Sequence, residues 1–156
     1  MRKIYLGIDP GKQGAIAACI DGRYEVTLMP PTPLGILHVF YKYYKLSGRK
    51  IAILEKAQTL PNQGIKSAGT YLQHYGNIEA FCIALKFTTY EIRPNHWQKQ
   101  LPGLVPAKKM AKGMKRKIIK DNSIALAEKH YPGINVGRKD GLADALHICG
   151  YGVRNY

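Results

Sequence analysis

Short apolar runs separated by turn residues open the chain. Lys3 to Ile8 is one, Ala15 to Ile20 a second, and Tyr24 to Met29 alternates apolar with polar positions, the period of a half-buried strand. Asp21-Gly22, between the second and third runs, predicts a tight hairpin, because both central positions of that turn take positive φ. The chain therefore begins as a three-stranded antiparallel meander. Pro30, Pro31 and Pro33 end it, and Leu34 to Leu46 then spaces Leu34, Leu37, Val39, Phe40, Tyr43 and Tyr44 helically. Lys50 to Leu54 is apolar after its first residue, as a strand covered on both faces requires, and Glu55 stands directly at its end.

Ile65 to Phe87 reads as a long helix whose apolar side includes Ala68, Leu72, Tyr75, Cys82 and Leu85. Gly69 and Gly76 lie on one side of it with Ala80. Each glycine costs about 1 kcal/mol relative to alanine in a helix interior, so the pair points to close approach by another backbone, either the sheet or a second subunit. Thr88 to Arg93 is strand-like and Pro94 closes it. Residues 95–120 hold Trp97 and a dense basic stretch, Asn122 to Tyr131 forms a helix ended by Pro132-Gly133, and a last helix runs from Asp140 to about Val153. No internal repeat or linker divides the chain. These elements describe one α/β domain over residues 1–156, a mixed five-stranded sheet flanked by helices.

Charge narrows the partners. The chain carries 24 Lys plus Arg against 10 Asp plus Glu, a formal net charge of +14. A polyanion is the natural partner, and nucleic acid suits this excess better than a small acidic ligand. An anionic membrane is disfavoured, since no apolar run approaches the roughly 20 residues that span a bilayer and no signal peptide or basic amphipathic N-terminus is present. Cys19, Cys82 and Cys149 are odd in number and lack metal-ligand spacing, so packed thiols in a reducing cytoplasm are expected.

Acids are scarce, which makes their placement informative. On the last helix Asp140 and Asp144 are four apart, with His147 and Tyr151 continuing that face, while Leu142, Leu146, Cys149 and Val153 lie opposite. A solvated acidic face is the plain alternative, but this helix has few of the long charged residues that coat a solvent side. Glu55 ends a buried strand, where an unpaired carboxylate is expensive. Asp9 stands in GIDPGKQGAIA, for which a local turn, a phosphate loop and the first carboxylate of a metal site compete. If the strands ending at Asp9 and Glu55 are neighbours and the last helix crosses their ends, the four acids converge. Carboxylates within about 4–6 Å of one another do not all stay ionised without a cation, and an oxygen-only donor set calls for Mg2+ or Mn2+. Two such ions about 3.5–4 Å apart can clamp a phosphodiester for hydrolysis, so a basic chain with this site reads as a nuclease.

Strand-borne Asp, strand-borne Glu and a helix-borne Asp pair on a meander-first chain resemble the RNase H-like superfamily. More narrowly, the chain resembles RuvC-type Holliday junction resolvases, particularly the short bacteriophage versions. The matching pieces are GIDPGKQGAIA, ILEKAQTLPNQGIKS with TYLQHYGNIEA, IRPNHWQKQL, KDNSIALAEKHYP and KDGLADALHICGYG, in order over nearly the whole chain. The resemblance implies metal ligands at Asp9, Glu55, Asp140 and Asp144, two Mg2+ per site with Mn2+ able to substitute, and no small-molecule cofactor. It implies a homodimer in the bacterial cytoplasm that resolves four-way junctions and related branched DNA by paired nicks, leaving 5′-phosphate and 3′-hydroxyl ends. Two features depart from the family pattern. Cellular members usually space the helix-borne pair by three, where this chain has Gly141, and they tend to carry an aromatic wedge three residues after the glutamate, where this chain has Gln58.

From Lys99 to Lys120 the chain holds Lys99, Lys108, Lys109, Lys112, Lys115, Arg116, Lys117 and Lys120 with no acid among them. Such a run repels itself unless a polyanion is present, so it is expected to contact phosphates, positioning DNA without reading bases. Lys12, just after Asp9, and Lys139, just before Asp140, are candidates for gripping phosphates beside the metals. Tyr71 and Tyr75 are candidates for stacking on unpaired bases. The rival readings are a nuclease of the same superfamily that cuts RNA in hybrids, and a non-catalytic basic DNA-binding protein. An actin-like phosphotransferase is excluded by length, since that fold needs two such domains, and no Walker-type loop is present.

Overall fold

The computed structural model describes residues 1–56, 65–107 and 110–156. The opening meander forms β1 (Lys3–Asp9), β2 (Ala15–Ile20) and β3 (Arg23–Leu28). Asp21 and Gly22 both take positive φ, 51° and 78°, as the hairpin between β2 and β3 demands. Thr32 then caps α1 (Pro33–Tyr44), its hydroxyl accepting from Gly35 N at 3.1 Å, with Pro33 in the first turn where its missing N–H is not needed. β4 (Arg49–Glu55), α2 (Ile65–Ala84) and β5 (Thr88–Ile92) follow, and α3 (Pro94–Gln98), α4 (Lys112–His130) and α5 (Asp140–Asn155) complete the chain.

The sheet order is β3-β2-β1-β4-β5. β1 pairs antiparallel with β2 and parallel with β4, so the first strand lies at the centre although it is first in sequence. Side-chain alternation divides the core in two. Ile4, Leu6, Ile8, Ala52 and Leu54 face one side, where Ile36 and Phe40 of α1 and Ile78 and Cys82 of α2 cover them. Tyr5, Ile51 and Ile53 face the other, which α5 covers. By the same alternation Asp9 falls on the face of Tyr5, and Glu55 on that of Ile53. Both acids therefore lie on the α5 side of the sheet.

α5 packs directly on β1 because Gly7 removes the intervening side chain: a Cβ there would stand 2.2 Å from the backbone nitrogen of Cys149. α4 covers the outer side of α5, so the last helix is enclosed on both faces. This corrects the two-faced reading of α5. His147 is fully buried and Tyr151 nearly so, whereas Val153, assigned to the core face, is 37% exposed. α4 also begins at Lys112, well before Asn122, so much of the basic stretch is helical. On α2 Leu72 is 47% exposed rather than packed. The three cysteines are free and buried. Among the described residues no helix is long and apolar enough to cross a membrane.

Candidate active site

β1 and β4 are parallel and in register, with Ile8 beside Leu54. Asp9 and Glu55, the next residue on each strand, thus stand side by side at the C-terminal edge of the sheet. α5 begins over that edge. Its first residue is Asp140, and Asp144 follows one turn later on the same side. All four acids line one open cleft of about 1140 Å³.

The position between them explains the four-residue spacing. A Cβ on Gly141 would lie 2.0 Å from the carbonyl oxygen of Gln13 and 3.0 Å from Gly14 Cα. The turn after β1 presses on α5 at this point, so no side chain fits three residues before Asp144. Asp140, one residue earlier, is the nearest position on that side from which a carboxylate can enter the cleft.

Burial raises the proton affinity of three of the acids. Asp9 is raised well above the ordinary carboxyl range, by desolvation first and then by the negative charges of Glu55, Asp144 and Asp140, with Lys120 opposing. Glu55 is pushed up to about 7 by burial, against the stabilising bond from Trp97 and with a further push from Asp144. Asp144 is raised to about 6, again mainly by burial, against Ser123 and with Asp140 adding to it. The cleft thus holds protons that carboxylates normally give up, first because its acids are buried and then because they repel one another.

Three of the acids have protein partners. Trp97 Nε1 donates to Glu55 Oε2 at 2.6 Å, and the Ser123 hydroxyl donates to Asp144 Oδ1 at 2.5 Å. Lys120 Nζ pairs with Asp140 Oδ2 at 2.5 Å. Among the described residues no three His, Cys, Asp or Glu side chains close on one point as a formed metal site would. The donor chemistry nevertheless fits a hard divalent cation: carboxylate oxygens only, on rigid strand ends and a helix, with mutual repulsion that a cation would relieve.

Basic residues line the same cleft. Lys112, Lys115, Arg116 and Lys120 of α4 line the cleft with Ile119, and Lys12 lines it from the turn after β1. Lys99, Lys117 and Lys139 are exposed but stand outside this lining, and Lys108, Lys109 and Gln58 lie outside the described residues. Tyr71 borders the cleft, where burial, followed by the charges of Glu55 and Asp9, pushes its hydroxyl up to about 12. Tyr75 is buried in the core and is not available to a base.

Sequence reasoning missed Trp97 and Ser123, and counted Lys120 only as one charge in a run. Trp97 carried a usable signal: a buried indole N–H needs an acceptor, and this tryptophan follows closely on the strand exit at Pro94. Behind it, Trp97 stacks on His147, with ring centroids 6.2 Å apart and planes 20° apart. His147 Nε2 donates to the Ser123 carbonyl at 3.0 Å. Burial lowers this histidine to about 4, which makes it a neutral packing residue at ordinary pH.

No protein-family model matches the sequence, and no curated protein matches it. Solved structures do. The Thermus thermophilus RuvC in complex with a Holliday junction substrate superposes with a TM-score of 0.61 at 16% identity, covering 97% of this chain and 95% of that one. Another Thermus thermophilus RuvC structure gives a TM-score of 0.54 at 16% identity over the same shares. The likeness at this identity is one of fold: a mixed five-stranded sheet with flanking helices in the RNase H-like arrangement of RuvC.

Proposed function

We propose that this chain is a divalent-metal-dependent endodeoxyribonuclease of RuvC type that resolves four-way junctions and related branched DNA. One observation carries the reading. The two in-register strand ends and the start of α5 bring four of the chain's ten acidic residues to one cleft that lysines and an arginine also line. The superposition along nearly the whole chain on a RuvC bound to a Holliday junction supports the same reading.

In this proposal Asp9, Glu55, Asp140 and Asp144 hold two Mg2+, or Mn2+ in its place. Bound there, the ions would supply Lewis acidity toward the phosphodiester and lower the pKa of the attacking water. The remaining work falls to side chains of the chain itself. Lys112, Lys115, Arg116 and Lys12 take the phosphates flanking the cut, holding the backbone across the cleft by charge and without reading bases. Lys120, shared between Asp140 and these basic residues, stands where the two kinds of charge meet. In-line hydrolysis of the held phosphodiester leaves 5′-phosphate and 3′-hydroxyl ends.

Paired nicks on opposed strands require two such sites, hence a homodimer of this single RNase H-like domain. α2 supplies the support. Its outer face exposes Leu72, Gly76, Ala80 and Ile83 in helical succession, the last 77% exposed. Among the described residues nothing lies within 4 Å of a Cβ placed on Gly69 or Gly76, so the sheet is not the neighbour these glycines make room for. On a chain of charge +14, two copies approach most readily through a surface without like charges, and the exposed Leu72, Gly76, Ala80 and Ile83 carry none. A second copy crossing α2 of the first would cover it.

The test incubates the protein with a labelled synthetic four-way junction, with and without Mg2+, beside Asp9→Asn, Asp144→Asn, a linear duplex and an RNA–DNA hybrid. Junction cutting that needs metal and both aspartates is expected. Equal cutting by the mutants would refute the site, and preference for the hybrid would refute the substrate.

A further inference from the structure

Two hydrogen bonds reach the carboxylates from the protein side of the cleft, and they come from separate elements. Trp97 stands on α3 and is 1% exposed, and Ser123 stands mid-way along α4 and is fully buried. Each is a donor to one oxygen of its acid: Trp97 to Glu55 Oε2 at 2.6 Å and Ser123 to Asp144 Oδ1 at 2.5 Å. The two donors are themselves joined through His147, which stacks on the indole and bonds the Ser123 backbone carbonyl. A buried brace of Trp97, His147 and Ser123 therefore runs behind the site from one carboxylate to the other.

Satisfying a buried indole does not require a carboxylate, since a backbone carbonyl serves as well. Nor does a mid-helix serine need a side-chain partner, because it can bond the carbonyl four residues back. Here both donors are spent on acids of the same cleft. A carboxylate with one oxygen fixed from behind keeps the other turned toward the cleft, and its rotamer is held before any ligand arrives. Fixing ligand orientation in this way is worth about 10–100-fold in metal affinity at characterised sites.

Resting on the reading of the cleft as a metal site, we infer that Trp97 and Ser123 are positioning residues that aim Glu55 and Asp144 at the bound cation. Trp97 does so through its N–H rather than through its bulk. Because it is the chain's single tryptophan, its emission reports directly on the carboxylate it touches.

The experiment titrates Mn2+ and Ca2+ into wild type, Glu55→Gln, Trp97→Phe and Ser123→Ala, reading metal uptake by calorimetry and, where the indole remains, tryptophan emission. In wild type the emission changes along the same curve as the heat of binding. Trp97→Phe, which keeps an aromatic ring in the core, and Ser123→Ala each weaken metal binding by about tenfold or more while circular dichroism stays native. Metal binding that leaves wild-type emission unchanged overturns the role of Trp97 with no variant needed. Wild-type metal affinity in folded Trp97→Phe and Ser123→Ala overturns the inference altogether. Absence of metal uptake by wild type is a different result: it refutes the reading of the cleft, and this inference with it.

Discussion

Raising the pH of metal-free protein from 5 to 8 should unfold it at lower temperature, and Mg2+ should cancel the effect. In the folded chain Glu55 is held near 7 against an ordinary 4.5, and Asp144 near 6 against 3.8. Folded protein thus binds more protons than unfolded protein in this range, so stability falls as pH rises. The loss begins near the ordinary carboxyl range and is complete once pH passes the raised values. Holding Glu55 near 7 rather than 4.5 corresponds to roughly 3 kcal/mol of lost stability at high pH, at about 1.4 kcal/mol per tenfold change. Asp144, raised mainly by its own burial, and Asp9 act in the same direction, so the fall worked from Glu55 alone is a lower bound. For a chain of this size about 1 kcal/mol moves Tm by roughly 2–4 °C, which gives a fall of roughly 6–12 °C. Thermal melts in EDTA between pH 5 and 8, repeated with Mg2+, measure it. Glu55→Gln should reduce the slope by Glu55's share and leave the share of Asp9 and Asp144. A melting temperature that is flat or rises with pH in EDTA, or that Mg2+ leaves unchanged at pH 8, would refute the claim that the buried acids of the cleft hold protons until a cation takes their place.

Other expectations concern the walls of the cleft and its frame. Gly141→Ala places a Cβ 2.0 Å from the Gln13 carbonyl oxygen, backbone against backbone, so chemical denaturation should show a loss at or above the upper end of the about 1–3 kcal/mol typical of overpacking. Lys115→Ala combined with Arg116→Ala should weaken junction binding and lower the slope of log affinity against log salt by about 2, one per phosphate contact; an unchanged slope means that these residues do not touch DNA. Ile83→Glu puts a charge at the most exposed apolar side chain of the α2 face, near the helix C-terminus, and should convert a dimer to a folded monomer by analytical ultracentrifugation, whereas an unaltered dimer would place the interface elsewhere.

The strands and the acids could be read from the chain because each is set by local rules. Alternation in β3, continuous apolarity in β4 and the Asp21-Gly22 turn fix the sheet's pieces, and Asp9 and Glu55 stand out as charges at the ends of buried strands. The length of α4 could not be read. Its first half is mostly polar, with only Met114, Ile118 and Ile119 among the cations, so nothing periodic marks it; its buried residues, Ser123 and Ala127, come later. α5 misled for the opposite reason. Its small residues Gly141, Ala143, Ala145 and Gly150 let β1 and α4 close on both sides, and that enclosure buries His147 although its polarity placed it on the open face. Trp97 and Ser123 reach the acids from about 42 and 21 residues away in sequence, a relation set by tertiary packing that no local pattern encodes.

The most direct measurement follows a supercoiled plasmid that extrudes a cruciform, incubated with the wild-type protein and Mg2+. Two coordinated nicks across the junction convert it straight to linear product with ligatable 5′-phosphate ends, and Asp9→Asn and Asp144→Asn should yield none. Open-circular product alone, linear product from a plasmid without the cruciform, or unchanged cutting by either aspartate variant would contradict a paired, metal-dependent resolvase.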